Sequence, residues 1–240
     1  MATADLLTPT APAQRDPSPR LWTDDEFARM QQLDLFAGYD VELIGGTVMD
    51  RLTGKPFVFT RKEYYSLDDK HFFRDQRVQL IGGVILERTA RMTPKHATAI
   101  QLALHALKCL FGESFDIRCQ LPINLGPISE PEPAVAAVTG SPRDYLVDHP
   151  KTALLIIEVS VTTLEEDTHE KASLYASGGI ADYWVVNLVN DRVLVFRSPK
   201  PEAGSKFGQN YAAVSAHRRD DKITPLAAPN ARVLVSDLLP

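Results

Sequence analysis

A carboxylate inside an apolar run constrains the fold of this chain more than any other feature of its sequence. Glu158 lies in the segment 154–159, which reads LLIIEV. Such a continuous apolar run predicts a strand that is buried on both faces. Burying an unpaired carboxylate costs several kcal/mol, so a buried carboxylate is usually paired, protonated or bound to a metal. The fold must therefore bring one of these partners to Glu158.

The segment after this strand supplies a candidate cation. Residues 163–166 (TLEE) have the pattern of a capping box, which predicts a helix that continues through Tyr175 and ends at the following glycine pair. Asp167, Lys171 and Tyr175 are spaced four residues apart and share one face of that helix. We therefore expect Lys171 to turn back toward the end of the strand that carries Glu158.

Length and composition favour one main domain. With 240 residues and 44% hydrophobic residues, the chain can bury one good-sized core. Residues 1–20 are rich in Ala, Thr and Pro and lack an apolar core, so we interpret them as a disordered tail and not as a secretion signal. No apolar stretch approaches the roughly 20 residues of a membrane helix. These features predict a soluble, cytoplasmic protein with no membrane association.

Charge and cysteine content limit the classes of function. The net charge of -5 argues against coating nucleic acid by bulk electrostatics, although a local basic face or a divalent cation can still engage phosphates. Cys109 falls in a helical pattern and Cys119 in an alternating strand pattern, so we interpret both as reduced, small core residues. The sequence also lacks His-Glu-x-x-His, Cys-x-x-Cys and a phosphate-binding Gly-rich loop.

An internal repeat lies near the N-terminus. Residues 41–49 (VELIGGTVM) are echoed by residues 78–86 (VQLIGGVIL), and each copy predicts a β-hairpin that turns at its Gly-Gly pair. Each hairpin follows a short predicted helix, because the pattern W-T-x-x-E at 22–26 matches F-T-x-x-E at 59–63. A duplicated helix-hairpin unit follows from this match. Its simplest interpretation is an extension that widens a sheet or builds a homodimer contact.

The downstream patterns predict a mixed sheet with helices packed on it. Thr93-Pro94 begins a helix that runs to about Phe111, with Gly112 beyond its end. Alternation over 115–123 predicts a half-exposed strand. Further strands are predicted at 135–138, at 183–187 and 192–196 (a hairpin), and at two candidate edge segments, 211–214 and 232–235.

The order of these motifs resembles a known family. The series comprises the Gly-Gly hairpin, the helix with His96 at its start, SEPEP at 129–133, IEVS at 157–160, the Asp167-Lys171-Tyr175 face and ADYWVV at 181–186. This series is similar to the Uma-two family of restriction-type endonucleases, which are common in bacteria and belong to the PD-(D/E)XK nuclease superfamily. It covers roughly residues 60–197.

The resemblance implies an α/β (α+β) fold with a restriction-endonuclease-like core, in which helices flank a central mixed β-sheet. The core would occupy residues 59–240. An extra helix-hairpin repeat at 21–58 would precede it, behind the tail at 1–20.

The resemblance also implies a phosphodiester-cleaving site that holds Mg²⁺ or Mn²⁺. Hydrolysis of DNA needs a hard cation, a polarised water and a positive group near the developing charge. Glu158 would be a metal ligand, and Lys171 would orient water or stabilise the transition state. Tyr175 and Asp167 would support them. His96 would either line the cleft or serve only as a hydrogen-bonding residue at the helix start.

This chain departs from the family pattern at a metal ligand. The family segment reads Pro-Glu-Pro-Asp-Val, whereas residues 131–135 read Pro-Glu-Pro-Ala-Val, so that Ala134 replaces the metal-binding Asp. Losing even a supporting residue of a metal site costs about 10 to 100-fold in affinity or activity. A Glu common in the family is also replaced by Gln79, and survives only as Glu42 in the upstream repeat. Glu132 or Glu42 could substitute as the missing carboxylate.

Two hypotheses of different class follow. In the first, the protein is an impaired metal-dependent DNA endonuclease whose Mg²⁺ or Mn²⁺ affinity is weakened. In the second, it is a pseudo-nuclease that acts as a DNA- or protein-binding module, with Glu158 and Lys171 as a buried ion pair. Cation dependence of thermal stability discriminates between them, because only a metal site in the folded state is stabilised by the metal.

Overall fold

The computed structural model describes residues 17–74 and 76–240. Most of the expected N-terminal tail, residues 1–16, lies outside the described residues. The described chain forms two compact units. Of the described residues, the first unit, which we call the hairpin unit, comprises 17–74, 76–90 and Gly126–Pro131, and the second, the sheet unit, comprises Arg91–Leu125 and Glu132–Pro240.

The hairpin unit contains two short helices and six strands. In chain order they are β1 (Ser18–Pro19), α1 (Asp24–Gln32), β2 (Val41–Ile44), β3 (Thr47–Asp50), β4 (Lys55–Pro56), α2 (Arg61–Asp69), β5 (Arg77–Ile81) and β6 (Val84–Arg88). The duplicated helix-hairpin predicted from the sequence is therefore present, and the two copies lie 37 positions apart, as Trp22 and Phe59 do.

The two copies repeat each other down to single hydrogen bonds. Both helices begin with a capping box between a Thr and the Glu three residues later. The N–H of Trp22 donates to Gly46 at 2.8 Å, and the equivalent N–H of Phe59 donates to Gly83 at 2.9 Å. Each hairpin turns through a glycine pair with positive φ, the backbone that a two-residue turn requires. The repeat is thus structural as well as sequential.

The lead-in strands of the two copies are exchanged. Strand β1, which precedes the first helix, pairs with β6 of the second hairpin, and β4, which precedes the second helix, pairs with β3 of the first. Two observations bear on the expected boundaries. Ser18–Pro19 is paired with β6 and Arg20 is buried, so these residues pack within the hairpin unit. The boundary expected at residue 58/59 falls inside one compact unit, because one aromatic cluster unites both copies.

The sheet unit contains three helices and eight strands. They are α3 (Pro94–Phe111), β7 (Phe115–Cys119), β8 (Val135–Thr139), β9 (Leu155–Ser160), α4 (Leu164–Thr168), α5 (Glu170–Ser177), β10 (Asp182–Asn187), β11 (Arg192–Pro201), β12 (Gln209–Arg218), β13 (Lys222–Ile223) and β14 (Val233–Leu234). Its main sheet has the order β12-β11-β10-β9-β8-β7. Only the β9–β10 pair within it is parallel among the described residues. The predicted mixed sheet flanked by helices is confirmed.

Strand β9 lies inside this sheet with helices over both faces. One apolar cluster contains α3 residues such as Ala103 and Leu107, and another contains α5 residues such as Ala172 and Tyr175. All six residues of β9 are buried, as the apolar run predicted. A carboxylate on this strand therefore faces the protein interior and not bulk water.

Three local predictions are wrong. The helix expected to run unbroken to Tyr175 is divided at His169, whose φ of -117° and ψ of -69° separate α4 from α5. The strand expected over 115–123 ends at Cys119, because Gln120 adopts a φ of 51°. Cys109 is exposed and not a core residue, whereas Cys119 is half-buried.

Within the described part of the chain, no helix combines the length and the apolar character that crossing a membrane requires.

Candidate functional site

The carboxylate of Glu158 is enclosed by three donors in the sheet unit. Its Oε1 accepts from Lys171 Nζ at 3.0 Å and from the Tyr175 hydroxyl at 2.7 Å. Its Oε2 accepts from the backbone N–H of Ala134 at 3.2 Å. Glu158 is only 4% exposed. A buried carboxylate that accepts from a charged and a neutral donor on one oxygen and from a backbone N–H on the other is a satisfied group.

Local structure places these donors. Strand β9 lies between β8 and β10, and Ala134 directly precedes β8, so its N–H meets the carboxylate across the sheet. Lys171 and Tyr175 are one helical turn apart on α5, which packs over β9. The expectation that Lys171 turns back toward Glu158 is therefore met by the geometry.

Asp167 is a second buried carboxylate beside the same lysine. Its Oδ1 lies 3.2 Å from Lys171 Nζ, and its Oδ2 accepts from the Thr163 hydroxyl at 2.6 Å. The backbone carbonyl of Asp167 accepts from the Tyr183 hydroxyl at 2.7 Å. Thr163 thus orients Asp167 instead of forming the capping box that its sequence pattern predicted.

The cluster holds more acid than base. Burial raises the pKa of Asp167, and the neighbouring Glu158 adds to this, while the Lys171 ammonium opposes both. Burial raises the pKa of Glu166 to about 7, and the negative charges of Asp167 and Glu158 reinforce the shift. Burial and then Glu158 raise the pKa of Tyr175 well above its ordinary value, so its hydroxyl remains a proton donor to Glu158.

The structure brings together four of the predicted site residues: Glu158, Lys171, Tyr175 and Asp167. His96 is half-buried in the first turn of α3, where its backbone N–H donates to the Thr93 hydroxyl at 3.3 Å. Glu132 is half-buried in the segment before β8. Glu42 belongs to the hairpin unit, and its carboxylate lies 3.6 Å from Arg51 Nε.

Sequence reasoning missed two contributors to this cluster. The Ala134 N–H donates to Glu158 although the side chain at this position carries no polar atom. Glu166 was taken only as part of a capping pattern, yet its Oε1 is buried without a hydrogen-bond partner among the described residues. Its position next to Asp167 and five residues before Lys171 was the available signal, since neighbouring acids compete for one cation.

The residues present do not fit a divalent cation. Within residues 17–74 and 76–240, no group of three or more His, Cys, Asp or Glu side chains is placed to hold a metal ion. Mg²⁺ prefers near-octahedral oxygen coordination. Both Glu158 oxygens instead receive protein hydrogen bonds, and the side chain of Ala134 is a buried methyl group. The arrangement satisfies a buried charge within the protein.

A comparison with the curated proteins finds no match. Among solved structures, one similar chain is described as "a putative nuclease belonging to DUF820" from Anabaena variabilis ATCC 29413. Its TM-score is 0.57 at 13% sequence identity, and the match covers 75% of this chain and 97% of that one. This likeness shows a shared fold.

A family model described as "Uma2: Putative restriction endonuclease" matches residues 61–235, which is most of the chain. The matched range includes every member of the Glu158 cluster. The chain therefore belongs to the Uma2 family of restriction-endonuclease-type proteins.

Proposed function

We propose that this protein is a DNA-binding member of its nuclease-type family that has lost phosphodiester hydrolysis. The observation that carries the proposal is the closed environment of Glu158, in which Lys171, Tyr175 and the Ala134 N–H occupy both carboxylate oxygens. Glu158 and Lys171 then serve as a buried ion pair that fixes α5 on the sheet. This proposed function requires neither the Mg²⁺ nor the Mn²⁺ that the family resemblance implies.

The position of the Lys171 ammonium between two buried carboxylates supports this assignment. A divalent cation in a nuclease supplies a polarised water and stabilises developing negative charge. Here one ammonium already lies 3.0 Å from Glu158 and 3.2 Å from Asp167. Removing one partner of such a pair leaves an uncompensated buried charge, which is strongly unfavourable. Lys171 thus supplies these carboxylates with the positive charge that a metal ion supplies in an active site.

DNA as the partner rests on the family and on the nuclease-like fold. The net charge of -5 means that binding must come from a local surface and must weaken as salt rises, because phosphate contacts release counterions.

The test is a nicking assay on supercoiled plasmid with Mn²⁺ and with Mg²⁺. The native chain is compared with Glu158→Ala and Ala134→Asp at equal concentration, and a gel shift of labelled duplex DNA in EDTA is run beside it. We expect no nicking by the native chain and a salt-sensitive shift without metal. Metal-dependent nicking by the native chain that disappears in Glu158→Ala would overturn the proposal, as would the absence of any DNA shift.

A weakened metal-dependent endonuclease is the second candidate. It is favoured by one observation, the presence of Glu166 as an additional carboxylate whose buried oxygen has no hydrogen-bond partner among the described residues. The plasmid assay separates the two candidates, since only the second predicts nicking that depends on Glu158.

A further inference from the structure

One surface of the hairpin unit already binds an extended segment of the chain. Residues 126–131 (GPISEP) run along the second helix-hairpin copy. The Gly83 N–H donates to the Ile128 carbonyl at 2.8 Å, and the Glu130 N–H donates to the Leu80 carbonyl at 2.6 Å. Leu80 and Glu130 form an antiparallel bridge. The second copy therefore shows how this type of surface receives an extended peptide.

The helix of the second copy recognises the acid in that segment. Glu130 is 2% exposed, forms an ion pair with Arg61 and accepts from the Tyr65 hydroxyl at 2.5 Å. Arg61 is the first residue of α2, and its backbone N–H also donates to the Pro127 carbonyl at 2.7 Å. Main-chain hydrogen bonds thus hold the segment, and the Arg61 side chain gives the site a preference for an acidic residue.

On the equivalent strand edge of the first copy, no segment of the described chain is paired. The counterpart of Ile81 is Ile44, which is 56% exposed, whereas Ile81 is 3% exposed. Strand β2 is the edge of its three-stranded sheet, in the order β2-β3-β4. Among residues 17–74 and 76–240, no isolated bridge equivalent to Leu80–Glu130 forms on the first copy. An unpaired strand edge with an exposed apolar residue is a template for another strand.

The charge at the recognition position is reversed between the copies. Helix α2 begins with Arg61-Lys62, whereas α1 begins with Asp24-Asp25, and both acids are exposed. The residue equivalent to Tyr65 is Ala28, which offers no hydroxyl donor. An acidic residue at the Glu130 position would be repelled here, and a basic one would be attracted.

We propose that the first copy, through Asp24, Ala28 and the edge formed by residues 43–46, docks an extended segment of a partner protein. That segment carries a lysine or arginine where the internal segment carries Glu130. Its backbone pairs with β2, and its cation lies against Asp24. The reversal of charge keeps the chain's own 126–131 segment on the second copy and selects a different ligand for the first.

The experiment is a chemical-shift titration of the ¹⁵N-labelled full chain with two synthetic peptides. One has the sequence Leu-Gly-Pro-Ile-Ser-Lys-Pro-Glu, and the other carries Glu in place of Lys. We expect the lysine peptide to shift the amides of residues 43–46 and to bind about three- to tenfold more tightly than the glutamate peptide at low salt. This range corresponds to a single partly exposed charge pair.

Two variants make the result decisive. Asp24→Arg changes an exposed residue and should reverse the order of the two affinities. Ile44→Asp, also at an exposed position, should weaken both peptides about equally. The proposal is overturned if neither peptide shifts these amides at millimolar concentration, or if Asp24→Arg leaves the order unchanged. Self-association that Ile44→Asp abolishes, without peptide binding, would overturn it in favour of a second copy as the occupant.

Discussion

At the scale of single residues, the central feature is a lysine that serves two buried carboxylates. Lys171 contacts Glu158 and Asp167, while Tyr175 and the Ala134 N–H complete the Glu158 shell. At position 134, where the family resemblance implies a metal-binding Asp, the Ala134 side chain is only a methyl group. Because Lys171, Tyr175 and the Ala134 N–H donate to both oxygens of Glu158, this buried carboxylate is compensated from within the chain.

Lys171→Met should therefore destabilise the protein strongly, since it leaves two buried carboxylates without their cation. We expect a loss of about 3–5 kcal/mol in the free energy of unfolding, measured by urea denaturation. Glu158→Gln added to Lys171→Met should cost less than the sum of the single changes. Lys206→Met is the matched control, because its pair with Glu170 is half-exposed and should change stability by about 1 kcal/mol or less. Additive costs in the double variant would contradict this account.

Glu166 should make stability depend on pH near neutrality. Its pKa is raised in the folded state to about 7, so its contribution to stability is present below its unfolded pKa and is lost as pH rises through about 7. The native chain should lose up to about 3 kcal/mol between pH 5 and pH 8 from this group. Urea unfolding of Glu166→Gln at both pH values tests this. An equal loss in the variant would show that another group titrates.

Much of this cluster could be predicted from the sequence, for an identifiable reason. An acid in an apolar run demands compensation, and the four-residue spacing after it placed Lys171 and Tyr175 on one face. The Ala134 N–H could not be predicted, because a backbone donor leaves no signal in residue type. The capping box at Thr163 is not formed, because the backbone of Thr163 (φ -99°, ψ 13°) is not extended as an N-cap requires, and its hydroxyl donates to Asp167 instead.

At the scale of elements, the helix and strand boundaries that the sequence did not predict lie where the backbone is irregular. Helix α3 begins and ends where Thr93-Pro94 and Gly112 indicated. The α4–α5 break at His169 was not predicted, because periodicity alone continues through it. Strands β1 and β4 were also missed. Each has two residues and contains a proline, so neither shows an alternating pattern.

The two glycines of a hairpin turn differ in how closely the chain packs against them: the second glycine of each pair, Gly46 or Gly83, is close to a side chain, and the first, Gly45, is open. A Cβ at Gly83 would lie 2.3 Å from Val58 Cγ1, whereas a Cβ at Gly45 meets nothing within 4 Å. Both glycines have positive φ, so alanine at either position costs about 1–2 kcal/mol from backbone strain. Gly83→Ala should cost about 1–3 kcal/mol more than Gly45→Ala, owing to overpacking. Equal melting temperatures for the two variants would refute the close approach.

At the scale of the whole molecule, duplication and exchange explain the division into units. The sequence repeat predicted two helix-hairpin copies, but not that each lead-in strand pairs with the other copy's hairpin. A repeat in sequence does not say which copy a strand joins, since both offer the same pattern. The exchange and the shared aromatic cluster unite the copies, so the unit boundary lies after Ala90.

The sheet unit contains the Glu158 cluster, and the main question about this cluster is whether it binds a metal ion. The most direct measurement is thermal unfolding of the native chain and of Ala134→Asp, each in EDTA and in millimolar Mn²⁺. A ligand that binds only the folded state raises the melting temperature with concentration. We expect no Mn²⁺ shift for the native chain, because the Lys171 ammonium already pairs with Glu158 and Asp167. A saturable rise in the native chain that is lost in Glu158→Gln would contradict it.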